Sequence, residues 1–234
     1  MESNEKFKCV VTNWDYIYNL CRDVSNEVKK SEYQPDIIIA LARGGWFAGR
    51  VMCDFLGLDD LTSLKVEHYT GTAAISGEGA QIKYPISSDA VEDKNVLIVD
   101  DIIDTGESMM YAKEHVLEQN PKTVKTATLQ YLYTSQMEPD YWSEYIDDWA
   151  WIVFPWNFME DMINIVSNLM KNEDEQLWDI KSLKSGLYKY YSIEPISFEI
   201  AQQGRLKEIM DEMERLGKVT SMQTKGKTLW KLNE

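Results

Sequence analysis

The stretch NVLIVDDIIDTGESMM, Asn95–Met110, decides the reading of this chain. Val96 to Val99 form an apolar run bounded by polar residues, the pattern of a buried strand in a parallel sheet. Asp100 and Asp101 then set two like charges side by side at its end. In an open α/β sheet, ligands bind outside the carboxyl ends of the strands. A cation or a hydroxyl-rich group at that place would satisfy both carboxylates. The next turn, DTGES (104–108), enters a helical pattern. Backbone N–H groups and the helix dipole make such a turn an anion cradle. Gly106 allows close backbone approach, and Thr105 and Ser108 add hydroxyl donors. A phosphorylated ribose needs both features together. The competing reading makes Asp104 a simple helix N-cap with no ligand. The conjunction of strand, aspartate pair and small-residue turn favours the ligand.

Strands and helices alternate outward from this stretch. Thr12 is the expected N-cap of a helix over about 13–30, with Trp14, Ile17, Tyr18, Cys21, Val24 and Val28 at helical spacing. DIIIALA (36–42) reads as another buried strand, followed by Arg43-Gly44-Gly45 and a helix over 46–56 that Gly57 ends. LKVEHY (64–69) alternates as a strand, and 70–90 reads as a long small-residue loop of the functional kind. A helix is expected over 106–120, and strands over 123–133 and 150–154. The alternation predicts an α/β fold with a mainly parallel sheet. Beyond Pro155 helices are expected over 157–171, 176–190 and 197–216, then a hairpin around Gly226. A module boundary is therefore expected near residue 157.

Composition narrows the classes. The net charge is −15, which opposes nonspecific nucleic-acid binding. Residues 1–156 hold 13 Lys+Arg against 26 Asp+Glu, whereas 157–234 hold 11 against 13, a contrast that also suggests two modules. Three scattered cysteines and two histidines give no disulfide framework and no Cys- or His-rich metal site. No stretch approaches the ~20 apolar residues of a membrane span. The polar N-terminus MESNEKFKC has no apolar signal core, so a cytoplasmic location is expected.

VLIVDDIIDTGES resembles the phosphoribosyl-pyrophosphate (PRPP) signature of type I phosphoribosyltransferases. ALARGGWFAGRVMCDFLGL (40–58) resembles the pyrophosphate loop and helix of the 6-oxopurine branch, and WIVFPWN (151–157) its nucleobase segment. The resemblance covers roughly residues 10–157. It implies a five-stranded, mainly parallel sheet flanked by helices in a core over 1–157, with a hood at about 65–94 and a mostly helical module over 158–234.

The resemblance also implies roles. Asp100 and Asp101 would hold the ribose hydroxyls, partly through Mg²⁺, and Asp104, Thr105, Gly106, Glu107 and Ser108 the 5′-phosphate. Ala42, Arg43, Gly44, Gly45 and Tyr69 would hold pyrophosphate, and in relatives the peptide before the basic residue is often cis. Arg43 also suits a leaving diphosphate on its own chemistry, as a fixed cation with planar donors. Lys83 sits in the hood region, where a loop lysine is ordinarily just solvated. Asp104 would be the general base. Leu132, Trp151 and Ile152 would meet the base, and Asn157 stands where relatives carry an acidic metal ligand. At position 132 the 6-oxopurine enzymes carry a lysine that donates to the purine O6. Leucine there points to a 6-amino purine, and the chain also resembles archaeal adenine phosphoribosyltransferases with a helical extension. The expected reaction is adenine plus PRPP giving AMP and pyrophosphate. The alternatives are a 6-oxopurine enzyme, or a PRPP-sensing regulator whose C-terminal module binds nucleic acid. The near-neutral charge of that module and its acidic helix KEIMDEMERLGK argue against the last. The resemblance further implies a homodimer.

Overall fold

The computed structural model describes residues 6–68, 80–173, 177–224 and 226–233. The chain divides into two compact units, Asp15–Asp148, and Met1–Trp14 with Trp149–Glu234. The sequence boundary near 157 separates only the later helices; this division also takes the N-terminal segment and residues 149–157 into the second unit. No helix among the described residues is long and apolar enough to cross a membrane.

The first strand, β1 (Cys9–Val11), belongs to the unit that holds the C-terminus. The unit Asp15–Asp148 begins in α1 (Trp14–Lys30). Its buried face is Ile17, Leu20, Cys21, Val24, Ser25 and Val28, whereas Trp14 and Tyr18 of the expected stripe are exposed. Thr12 does not cap α1. Its hydroxyl donates to the Val153 carbonyl at 3.0 Å instead.

A six-stranded sheet follows, built from β2 (Ile37–Leu41), β3 (Leu61–His68), β4 (Ala80–Tyr84), β5 (Asn95–Ile103), β6 (Thr123–Leu132) and β7 (Tyr141–Ile146). Its order is β4-β3-β2-β5-β6-β7, parallel except for the β3–β4 pair. Helix α2 (Gly45–Leu56) crosses from β2 to β3, and α3 (Glu107–Leu117) from β5 to β6. All five residues of β2 are buried, as the apolar run requires. One layer of the core joins Ile37, Ile39, Leu41, Val96 and Ile98 to Met109, Ala112 and Val116 of α3. Burying each such side chain stabilises the fold by about 1.5–3 kcal/mol.

The sheet thus has one strand more than the expected five. Strand β4 falls in the stretch read as loop, and β7 lies in a stretch without a clean period-2 pattern. The register Val99↔Ala40 brings the carboxyl ends of β2 and β5 side by side.

In the other unit, β8 (Trp151–Val153) pairs in parallel with β1, not with the main sheet. Four helices follow, α4 (Phe158–Asn172), α5 (Ile180–Tyr191), α6 (Pro195–Ala201) and α7 (Arg205–Arg215). The helix expected over 197–216 is broken at Gly204, which adopts a left-handed conformation at φ 71°. An antiparallel hairpin, β9 (Val219–Thr224) and β10 (Lys227–Leu232), closes the chain. Phe158, Met162, Val166, Leu183, Leu187, Ile209, Met213 and Trp230 share one core. Asp179 and Ser182 form a reciprocal capping box at the start of α5.

Candidate active site

Strand β5 runs through the aspartate pair and ends only at Ile103. Asp101 is 8% exposed, and its Oδ1 accepts the Ile102 N–H at 3.0 Å. Asp100 keeps part of its surface open, and its Oδ1 accepts the Asp101 N–H at 2.9 Å. Burial and the neighbouring Asp101 carboxylate push the Asp100 carboxyl well above its ordinary value of 3.8. The frustration visible in the sequence is therefore real in the fold.

The Arg43-Gly44-Gly45 turn, following β2, lies directly on this pair. The Ala42–Arg43 peptide is cis. A Cβ built on Gly44 would stand 2.0 Å from Asp101 Oδ2, and one on Gly45 would stand 2.6 Å from the Val99 carbonyl oxygen. Only glycines allow this approach. Arg43 is exposed at the same end of the sheet.

Beyond Ile103, a cavity of about 210 Å³ is lined by Asp100, Asp104, Thr105, Gly106 and Ser108. The N-cap of helix α3 is Gly106, at φ 89°, which has no side chain to cap it, and the Thr105 hydroxyl accepts the Glu107 N–H at 3.4 Å. Asp104 is therefore not the N-cap. Its Oδ1 instead accepts a hydrogen bond from the Thr134 hydroxyl at 2.7 Å. The Gln136 N–H donates to the Thr105 carbonyl at 2.9 Å. A Cβ on Gly106 would meet Met137 Cγ at 2.8 Å and Ser135 Oγ at 3.1 Å. The close approach that Gly106 serves is thus to the chain's own 135–137 segment. The sequence reading missed this buttress, residues 133–140 between β6 and β7. Its only sequence signal was the small polar pair Thr134-Ser135 just past a buried strand.

Tyr69 lies outside the described residues, as do residues 70–79 of the 70–90 loop. Lys83, on β4, pairs with Glu67 at 2.9 Å. Leu132 is 2% exposed and so belongs to the core at the end of β6. Trp151, Ile152 and Asn157 fall in the other compact unit. There Trp151 is 46% exposed, Ile152 pairs with Val10, and Asn157 precedes α4 without capping it by its side chain.

The two carboxylates suit a divalent cation. Among the described residues no cluster of three or more His, Cys, Asp or Glu could hold a metal alone. Two carboxylates sharing a site raise one another's proton affinity, and a cation removes that repulsion. Mg²⁺ is commonly held by one or two carboxylates with substrate phosphates completing the shell. The donor set fits an ion that arrives with a phosphorylated substrate.

Comparison with known proteins gives a consistent outcome. A family model described as the phosphoribosyl transferase domain matches residues 11–161. The xanthine-guanine phosphoribosyltransferase of Idiomarina loihiensis is 27% identical over 158 residues, covering 66% of this chain and 89% of that protein. The solved purine phosphoribosyltransferase of Pyrococcus horikoshii is 33% identical, with 63% of this chain and 93% of that one covered and a TM-score of 0.55. The xanthine-guanine-hypoxanthine phosphoribosyltransferase of Helicobacter pylori is alike in fold, at 17% identity, 68% and 99% coverage and a TM-score of 0.57.

Proposed function

The chain belongs to the phosphoribosyl transferase family, and from that premise we propose that it transfers the phosphoribosyl group of PRPP to a 6-oxopurine base, releasing pyrophosphate. The observation that carries the reading is the contact of the Gly44–Gly45 turn with Asp100 and Asp101, beside the cavity at Asp104–Ser108. A pyrophosphate turn, a ribose holder and a phosphate cradle then adjoin one another on one sheet end.

The roles follow from chemistry. Asp100 and Asp101 accept hydrogen bonds from the ribose 2′- and 3′-hydroxyls. Thr105, Gly106, Glu107 and Ser108 wrap the 5′-phosphate at the start of α3. Arg43 and the Gly44–Gly45 backbone take the charge that develops on the leaving pyrophosphate. Asp100 and Asp101 would hold a Mg²⁺ together with the substrate's oxygens, and the ion would supply further neutralisation of that charge. The sugar passes through an oxocarbenium-like state, which carboxylates stabilise. Asp104, fixed by Thr134, accepts the proton lost by the attacking purine nitrogen, a contribution of ~10²–10⁴-fold in general-base cases.

The 6-oxopurine assignment is supported by the xanthine-guanine enzyme that matches over 158 residues. Adenine is the second reading, and Leu132 favours it. A buried leucine offers no donor to a 6-oxo group, a loss of roughly 1–3 kcal/mol unless another donor replaces it. The deciding experiment offers guanine, xanthine, hypoxanthine and adenine in turn to the purified chain with PRPP and Mg²⁺, and reads pyrophosphate release. Turnover with a 6-oxopurine is expected. Turnover with adenine alone establishes the second reading. PRPP binding without turnover on any base overturns both.

A further inference from the structure

The C-terminal unit carries a groove well away in sequence from the transferase motifs. Its volume is about 780 Å³, several times the 210 Å³ cavity at Asp104–Ser108. Ile180, Tyr188, Pro195 and Trp230 give it an apolar lining. Four lysines from three elements converge on it: Lys181 and Lys184 of α5, Lys207 of α7 and Lys227 of β10. In a chain of net charge −15, residues 177–234 hold ten Lys+Arg against eight Asp+Glu. The groove therefore concentrates cations where the chain as a whole is acidic.

Three of these lysines have carboxylate neighbours. Lys184 lies 2.6 Å from Glu199, Lys207 2.6 Å from Asp211, and Lys227 3.6 Å from Asp179. Solvent-accessible pairs of this kind contribute little and exchange partners readily. Asp179, which also lines the groove, accepts the Ser182 N–H through Oδ1 at 2.8 Å and faces Lys227 only distantly through Oδ2. An incoming anion can thus draw the ammonium groups together at small cost.

We propose that this groove binds a nucleoside polyphosphate, with its base against Tyr188 and Pro195 and its phosphates among Lys181, Lys184, Lys207 and Lys227. Tyr188 is 58% exposed and presents an aromatic face for stacking. An apolar wall alone would take a neutral ligand, and lysines alone would take any anion. Their combination selects an aromatic body that carries phosphates. The volume lies in the ~300–1,000 Å³ range of small-molecule sites. The outer face of α7, with Glu208, Asp211 and Glu214, opposes a continuous nucleic-acid backbone.

The test is calorimetric titration of the full chain with ATP, beside inorganic triphosphate and a DNA duplex. The comparison protein is the double variant Lys181→Glu/Lys184→Glu, whose transferase turnover should be unchanged because neither lysine belongs to that site. The intact chain should bind one more ATP than the variant, with at least tenfold tighter affinity than inorganic triphosphate at that site. Tyr188→Ala should weaken ATP and leave triphosphate unaffected. Equal ATP stoichiometry in the two proteins overturns the proposal. So does equal affinity for ATP and triphosphate, or binding of the duplex with no ATP binding at the groove.

Discussion

The main chain at Gly44 rests on the side chain of Asp101, so closely that a methyl group at 44 would stand 2.0 Å from Oδ2 and 2.4 Å from Cγ. The two residues come from different strand ends, β2 and β5, whose parallel register makes them neighbours. Asp101 cannot yield easily. It is nearly buried, and its Oδ1 is engaged by the Ile102 N–H. The turn expected to hold pyrophosphate and the strand end expected to hold ribose are therefore one mechanical unit.

Gly44→Ala tests that unit. The added methyl has to push the turn off Asp101 or rotate the carboxyl out of place. Misplacement by about 1 Å can cost on the order of 10²-fold in rate. We expect kcat/KM for PRPP to fall by about that factor while circular dichroism still shows a folded chain. Steady-state kinetics over a PRPP series check it. A variant with unaltered kinetics would show that the contact has no part in the reaction.

Asp100 sets a pH dependence whose sign is fixed by its shift. Its folded-state proton affinity is raised by burial and by Asp101, so the native state holds a proton that the unfolded chain has already released. Stability from this group is full below the unfolded value near 3.8 and is lost as pH rises through the raised native value. Asp100→Asn removes the titration. The variant should melt at a higher temperature than the parent at pH 7, and the gain should shrink to nothing as pH falls below about 3.8. The same change should weaken PRPP binding, because the ribose loses a carboxylate. Melting scans from pH 3 to 8, paired with PRPP titration, measure both. A gain that persists at low pH would assign it to packing rather than to charge.

The parts of this fold that were legible in the sequence are those where local pattern and tertiary position agree. DIIIALA and NVLIVD read as buried strands because burial on both faces leaves only apolar residues, and β2 and the start of β5 lie there. The aspartate pair, the glycine turn and the 104–108 loop stand out for the opposite reason, since each departs from local expectation, and the fold brings the turn onto the pair and the pair beside the loop. Strand β1 was invisible because three residues carry no period, and its partner β8 was legible as a strand but not in its pairing, because pairing is a long-range choice. Strand β7 was missed because its pattern mixes exposed and half-buried residues at a sheet edge. Thr134 was missed because its partner, Asp104, lies thirty positions earlier, and no local rule connects them.

If Asp104 is the general base, as proposed, Thr134 is a positioning residue that acts on the reaction through it. Its hydroxyl holds Oδ1 at 2.7 Å and lies 3.2 Å from the Asp104 carbonyl oxygen. A single hydrogen bond of this kind is worth about 0.5–1.5 kcal/mol, and somewhat more to a charged acceptor. Thr134→Val keeps the shape and removes the donor, so kcat should fall roughly five- to tenfold. KM for PRPP should be little changed, because the phosphate and ribose contacts stay in place. Thr134→Ser should restore kcat, which a merely structural role for the side chain would not require. Loss of PRPP affinity with kcat intact would place the residue in substrate binding instead.

Gly106 combines two constraints that one double variant can separate. Its φ of 89° is a conformation that side-chain-bearing residues enter at a cost of about 1–2 kcal/mol. Its missing Cβ also makes room for Met137 Cγ at 2.8 Å and Ser135 Oγ at 3.1 Å. Crowding of that kind adds about 1–3 kcal/mol when nothing moves. Met137 has a flexible end, so part of the crowding can relax. Gly106→Ala should therefore lose about 2–3 kcal/mol of stability in urea denaturation, the sum of the conformational term and a partly relaxed contact. Adding Met137→Ala removes the shorter contact and leaves the backbone term and the looser Ser135 Oγ approach at 3.1 Å. After subtraction of the Met137→Ala effect measured alone, the double variant should recover about 1 kcal/mol. Full recovery would mean that the positive φ carries no penalty. No recovery would mean that the 135–137 segment gives way freely, and it could not then be the buttress that holds the 104–108 turn.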